Sequence, residues 1–160
     1  MNRNTRTVAR LVGIVIAVLI CSGLAYFVSS LITGHQLATS SNNIAYARWQ
    51  EKFLSLTVAT GILTGICSLI WFTLSRWVFK IRVAEGIGRR TIWALLALVS
   101  LGGNILIPKF YSPALGIQVN AVVIALFITF FTVIGYWIVS IFITPEPFKY
   151  TPLGAQIFRH

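Results

Sequence analysis

Residues 11–33 read LVGIVIAVLICSGLAYFVSSLIT, about twenty-three positions without one Asp, Glu, Lys, Arg or His. At 1.5 Å of rise per residue, a helix of that length crosses roughly 30 Å of hydrocarbon with some tilt. Three further stretches share the character: about Phe53–Ser75, Ile92–Ile107 and about Ala121–Ile143. No charged side chain falls inside any of the four. All thirteen Lys and Arg, and the three acids Glu51, Glu85 and Glu146, lie in the tails and connections. The third stretch has only about sixteen residues before Pro108 cuts it off, or roughly 24 Å of helix. It is expected to need protein cover, a thinned bilayer or help from its flanks.

Composition agrees. The chain is 57% apolar and 10% charged, against about 45–50% and about 25% in soluble domains. The expectation is one all-α transmembrane domain over residues 1–160 with four helices. Its connections are an outer loop at 34–52, a basic loop at 76–91 and a tail at 144–160. The first stretch is expected to stay as an anchor. It is longer than the 7–15 residues usual for the core of a signal peptide, and Ile20 precedes Cys21 where a lipoprotein would need a small residue.

A net charge of +10 on 160 residues would suggest nucleic acid in a soluble protein. Here the cations flank apolar spans, where they meet anionic headgroups and fix orientation, so no nucleic-acid partner is expected. Ten of them (Arg3, Arg6, Arg10, Arg76, Lys80, Arg82, Arg89, Arg90, Lys149 and Arg159) fall on one side of the alternating spans, and Arg48, Lys52 and Lys109 on the other. That bias predicts cytoplasmic termini and a bacterial inner membrane. A matrix-facing bias in an organelle would look the same. Trp49, Phe53, Trp71, Trp77, Trp93, Phe110, Tyr111, Trp137 and Phe142 lie near the span ends, where amphipathic rings prefer the interface. Trp137, slightly inside, is read as a residue that packs on protein.

Contacts between helices are the sharpest local signal. The first span places Gly13, Ala17, Cys21, Ala25, Ser29 and Thr33 at every fourth position, and the second places Thr57, Gly61 and Gly65 in the same rhythm. Small residues let backbones approach within lipid, where dispersion and short hydrogen bonds hold helices together. These residues predict a tight pair of the first two helices, or a stripe on which a second subunit docks. The fourth span is aromatic-rich (Phe127, Phe130, Phe131, Tyr136, Trp137 and Phe142), with a short small-residue row at Ala121, Ala125 and Thr129. Its rings are read as packing or lipid-facing. Cys21 and Cys67 are read as small packing residues.

Polar groups at depth are few. Gly102-Gly103-Asn104 before Pro108 is expected to loosen the third helix, and Asn104 to reach Asn120 across the short outer loop. Arg76, Lys80, Arg82, Arg89 and Arg90 of the basic loop are candidates for anionic lipid or an acidic partner, with Trp77, Phe79 and Ile81 sinking into the interface. The tail, with Pro145, Pro147, Tyr150, Pro152, Leu153, Ile157 and Phe158, is a candidate surface for a cytoplasmic contact. His35 and His160 have no partner in the sequence that would make a metal site. No paired histidines offer haem ligands, and no catalytic motif appears. Catalysis, metal and cofactor are therefore not expected. Abundant packing devices without chemistry point to a non-catalytic subunit of a larger membrane complex (secretion, transfer, transport or respiratory), with other integral membrane subunits and lipids as partners. The alternative is a homo-oligomeric channel or small carrier.

Overall fold

A computed structural model describes residues 3–37, 43–78, 86–115, 121–145 and 151–158. Helix α1 is Arg3–Leu37. Helix α2 is Asn43–Thr73 and ends in a π-helical turn, π1, at Leu74–Val78. Helix α3 is Gly86–Leu115. The fourth rod is α4 (Ala121–Phe127), an eleven-residue π-helix π2 (Ile128–Ile138) and α5 (Val139–Ile143), and a short α6 (Ala155–Phe158) follows. Four segments are long and apolar enough to cross a membrane: Thr7–Ile32, Glu51–Val78, Gly88–Phe110 and Ala121–Ile143. The chain is thus built as a multi-pass membrane protein.

Helix α2 and the fourth rod pack on each other, and α1 and α3 each pack on both of them. The two flanking helices therefore sit on opposite sides of a central pair. Two buried clusters stack along the bundle. Cys21, Ala25, Phe53, Leu56, Val123, Phe127 and Phe131 form one. Ile14, Cys67, Trp71, Phe72, Trp93, Tyr136 and Ile143 form the other. The start of α1 thus lies beside the end of α2, the start of α3 and the end of the fourth rod, so the four rods alternate in direction. The second cluster marks the end that carries Arg10, Arg76, Arg89 and Arg90.

The outer surface is apolar. Val15, Leu19, Phe27 and Leu31 of α1 and Leu95, Leu98 and Leu106 of α3 all point away from the bundle. Ser and Thr, by contrast, are concentrated inside, which suits a hydrocarbon solvent that cannot hydrogen-bond to them.

The fourth rod shows why a π-helix forms. Val123, Phe127, Phe131, Gly135 and Tyr136, and Ser140 and Ile141 are buried at a spacing of four to five residues, with Ile143 and Thr144 buried at the end. On a 3.6-residue helix, a four-residue step overshoots each turn by about 40°. The wider i→i+5 winding of π2 takes up the difference and holds this row against α2.

Close approach is made at three glycines. A side chain on Gly61 would place its Cβ 2.5 Å from Ser22 Oγ and 3.7 Å from Val18. On Gly103 it would collide with Leu63, and on Gly135 it would lie 3.0 Å from Thr64 Cγ2 and 3.2 Å from the Phe130 carbonyl oxygen. Ser22 can rotate out of the way. Gly61→Ala should therefore shift stability by no more than about 1 kcal/mol, which denaturation in detergent would measure.

Several expectations are corrected. The third span does not stop at Pro108, because α3 continues to Leu115 and the candidate span is Gly88–Phe110. Proline removes one helical hydrogen bond, whereas unwinding the turn in lipid would leave several backbone groups unsatisfied. Gly102 and Gly103 likewise sit within continuous helix; Gly103 marks the contact with Leu63.

Among the aromatic residues expected at interfaces, Phe53, Trp71 and Trp93 are buried. A position near a span end fixes depth but not which face a ring occupies. Trp77, Phe110, Trp137 and Phe142 are exposed, and the side chains of Trp49 and Tyr111 lie outside the described residues.

Candidate functional site, a hydroxyl-lined seam

Thr57, Thr60, Thr64 and Ser68 of α2 and Ser75 of π1 are all buried, spaced by three, four or seven residues so that they share one inward face. Facing them are Ser100 and Asn104 of α3, Tyr136 and Ser140 of the fourth rod, and Thr144 just past its end. A seam of neutral polar groups thus follows the central pair of rods.

Some of these groups are satisfied within their own helix. Thr57 Oγ1 donates to the Phe53 carbonyl oxygen at 2.9 Å, and Thr60 Oγ1 reaches those of Leu56 and Thr57 at 3.1 and 2.9 Å. Others tie helices together. Ser68 Oγ donates to the Gly135 carbonyl oxygen at 3.2 Å, inside π2. The indole Nε1 of Trp71 donates to Thr144 Oγ1 at 2.9 Å, and that of Trp93 to Ser140 Oγ at 2.8 Å.

Tyr136 completes a reciprocal lock. Its hydroxyl donates to the Trp93 carbonyl oxygen at 2.9 Å while the two rings stack at 6.1 Å between centroids. The buried indoles therefore find their acceptors on a neighbouring helix, where headgroups would serve at an interface.

Farther along, Asn104 Nδ2 donates to Thr132 Oγ1 at 2.9 Å, with Ser100 Oγ 3.5 Å from both atoms. Thr132→Val should cost about 0.6–1 kcal/mol, the usual worth of an interhelical hydrogen bond in a bundle. A reversible unfolding titration in mixed micelles would detect it.

The residues singled out in the sequence fall as follows. Along the α1 stripe Gly13 is exposed with nothing within 4 Å of an added Cβ, Ala17 is half-buried, and Cys21, Ala25 and Ser29 are buried. The side chain of Thr33 lies outside the described residues. α1 packs closely on α2: the nearest atoms to an added Cβ at Gly61 belong to Ser22, Phe131 and Val18, and at Gly65 to Val18, while Cys21 and Ala25 of the stripe share a buried cluster with Phe53 and Leu56 of α2. A four-residue stripe winds about 40° per repeat on a regular helix. It therefore turns from the outer surface at Gly13 toward the fourth rod, where Cys21 Sγ lies 3.8 Å from the Cβ position of Gly135.

Thr57 and Gly61 are buried and Gly65 is half-buried. Both cysteines are free and buried, in separate clusters. Ala121, Ala125 and Thr129 face outward, while Phe127, Phe131 and Tyr136 fill the core.

Asn104 is fully buried, and its described partners are Thr132 and Ser100. Asn120 lies outside the described residues. Of the basic group, Arg76 is half-buried with its guanidinium 6.0 Å from the Phe72 ring centroid, Arg89 is half-buried and Arg90 exposed. Lys80, Arg82, Phe79 and Ile81 lie outside the described residues, as do the side chains of His35 and His160.

The tail returns to the bundle. Trp137 Nε1 donates to the Leu153 carbonyl oxygen at 2.6 Å, and Gly154, with φ +80°, turns beside the Trp137 ring. A positive φ is accessible to glycine without steric cost. Thr151, Pro152 and Ala155 are buried by this return. The intrachain docking of the tail, the indole locks and the π-winding were not anticipated from sequence. The four-to-five-residue spacing of buried residues from Val123 onward could have signalled the last of these; nothing local in the sequence marks the other two.

Chemically, the seam offers hydrogen-bond donors and acceptors without charge, so it can align helices or hold a small polar molecule. No protein-family model, no curated protein and no solved structure matches the chain.

Proposed function

We propose that the chain is a non-catalytic subunit of a larger membrane assembly, anchored in a bacterial inner membrane with both termini cytoplasmic. The observation that carries this reading is the use of its glycines. Gly61, Gly103 and Gly135 are consumed by internal contacts, while Gly13 and Gly23 of α1 face outward with nothing within 4 Å. Ala121 and Ala125 are exposed as well. Small residues of this kind permit close docking of another transmembrane helix. Burial has the same asymmetry: the most apolar stretch is 17% buried in α1 and 22% in α3, against 44% in α2 and 39% in the fourth rod.

Crosslinking in native membranes from residues of α1 beside Gly13 and Gly23 should recover other integral membrane chains. Gly13→Leu with Gly23→Leu should abolish those adducts and leave stability in detergent unchanged. Isolation as a lone monomer, with no adducts before mutation, would defeat the proposal.

A second reading, a homo-oligomeric channel or small carrier, draws on the polar seam and on Asn104. Solute flux through reconstituted liposomes that disappears on replacing Asn104 would favour it. Impermeable liposomes would count against it.

A further inference from the structure

One tier of the seam carries acceptors that its own helices leave unsatisfied. Asn104 is completely buried and its Oδ1 has no hydrogen-bond partner, although its Nδ2 donates to Thr132. The hydroxyl of Thr64, also fully buried, has no partner either.

These groups share one level. Leu63 fills the space at Gly103, Thr64 lies against Gly135, and Asn104 bonds Thr132, three residues before Gly135. Residues 63–64, 103–104 and 132–135 therefore meet where α2, α3 and the fourth rod converge.

A buried acceptor without a donor costs about 1–3 kcal/mol. Within hydrocarbon, no bulk water relieves that cost. The groups left over are the Asn104 amide oxygen and the Thr64 hydroxyl. A ligand for them must donate to the amide oxygen and bond the hydroxyl, be small and carry no charge, since none of the residues named at this tier is ionised.

We propose that this tier binds a single water molecule, held by Asn104 Oδ1 and the Thr64 hydroxyl. Buried waters typically make about two to four such bonds. The water joins α3 to α2 at the turn that Pro108 weakens. This inference is independent of the subunit reading.

The experiment is radiolytic footprinting of the full-length protein in lipid nanodiscs. Hydroxyl radicals generated from bound water oxidise adjoining side chains, and mass spectrometry locates the added oxygen. Leu63, and Ile107 beside Gly103, should be oxidised severalfold more than the outward-facing Leu98 and Leu106. Asn104→Leu and, separately, Thr64→Val should reduce labelling at Leu63 and Ile107 to the level of Leu98.

Wild-type labelling of Leu63 and Ile107 no greater than that of Leu98 and Leu106 would overturn the proposal. It would mean that the Asn104 amide is turned to accept from Thr132 and Ser100 in a dry core. Tier labelling that persists undiminished in both variants would overturn it too. Should Asn104→Leu fail to fold, the wild-type comparison and Thr64→Val still decide.

Discussion

Gly135→Leu should prevent the bundle from closing, with a loss of at least about 3 kcal/mol, the upper part of the usual range for overpacking. Gly135 sits where α1, α2 and the fourth rod converge. Even an added Cβ would stand 3.0 Å from Thr64 Cγ2, 3.2 Å from the Phe130 carbonyl oxygen and 3.8 Å from Cys21 Sγ. The main-chain oxygen cannot move aside without disturbing π2, and a leucine would extend farther into the same space. It would also push away Ser68, which donates to the Gly135 carbonyl oxygen.

Gly135→Ala should cost about 1 kcal/mol, and Thr64→Ser, which removes the nearest methyl, should recover part of that loss. The readout is the denaturant midpoint of detergent-solubilised protein for the two single variants and the double variant. A wild-type midpoint for Gly135→Leu would refute the three-way contact.

Trp71→Ala should be nearly as damaging, at about 3 kcal/mol. That is the low end for deleting a buried aromatic ring, because lipid rather than water receives the ring when helices separate. Trp71 is completely buried and lies at the heart of the second cluster. Trp71→Phe separates the two contributions. It keeps most of the ring and removes the 2.9 Å bond to Thr144 Oγ1. Thr144 retains its own donation to the Ser140 carbonyl oxygen, so no polar group is orphaned. The expected cost is about 1 kcal/mol. Equal losses for Ala and Phe would mean that the hydrogen bond, not the packing, is the stabilising feature.

These expectations rest on features of unequal legibility. The four apolar stretches were visible because lipid imposes a coarse rule of length and absence of charge, which a single sequence displays directly. Pro108 misled the reading of the third span because the rule that proline ends a helix comes from water, where freed carbonyls are hydrated. In hydrocarbon the alternative is worse, and α3 runs on. Trp71 and Trp93 misled for a related reason: depth along the axis could be counted, but facing could not, and their acceptors Thr144 and Ser140 lie 73 and 47 residues away. The seam was half legible. Asn104 stood out as polar at depth and Thr57 as part of a small-residue row, but Thr60, Thr64 and Ser68 carried no separate signal without knowledge of their shared face.

The amino-acid sequence by itself determined that this chain forms four long helices with uncharged apolar middles and cations only toward their ends and in the connections, because burying a charge or an open backbone in lipid is too costly for any arrangement to evade. Only the tertiary structure decided which glycines are contacts and which are open surface, that the fourth rod winds as a π-helix, and that the tail docks on Trp137. Those outcomes depend on the rotation of each helix about its own axis. That rotation is fixed by differences of a few kcal/mol among packings that all satisfy the membrane equally well.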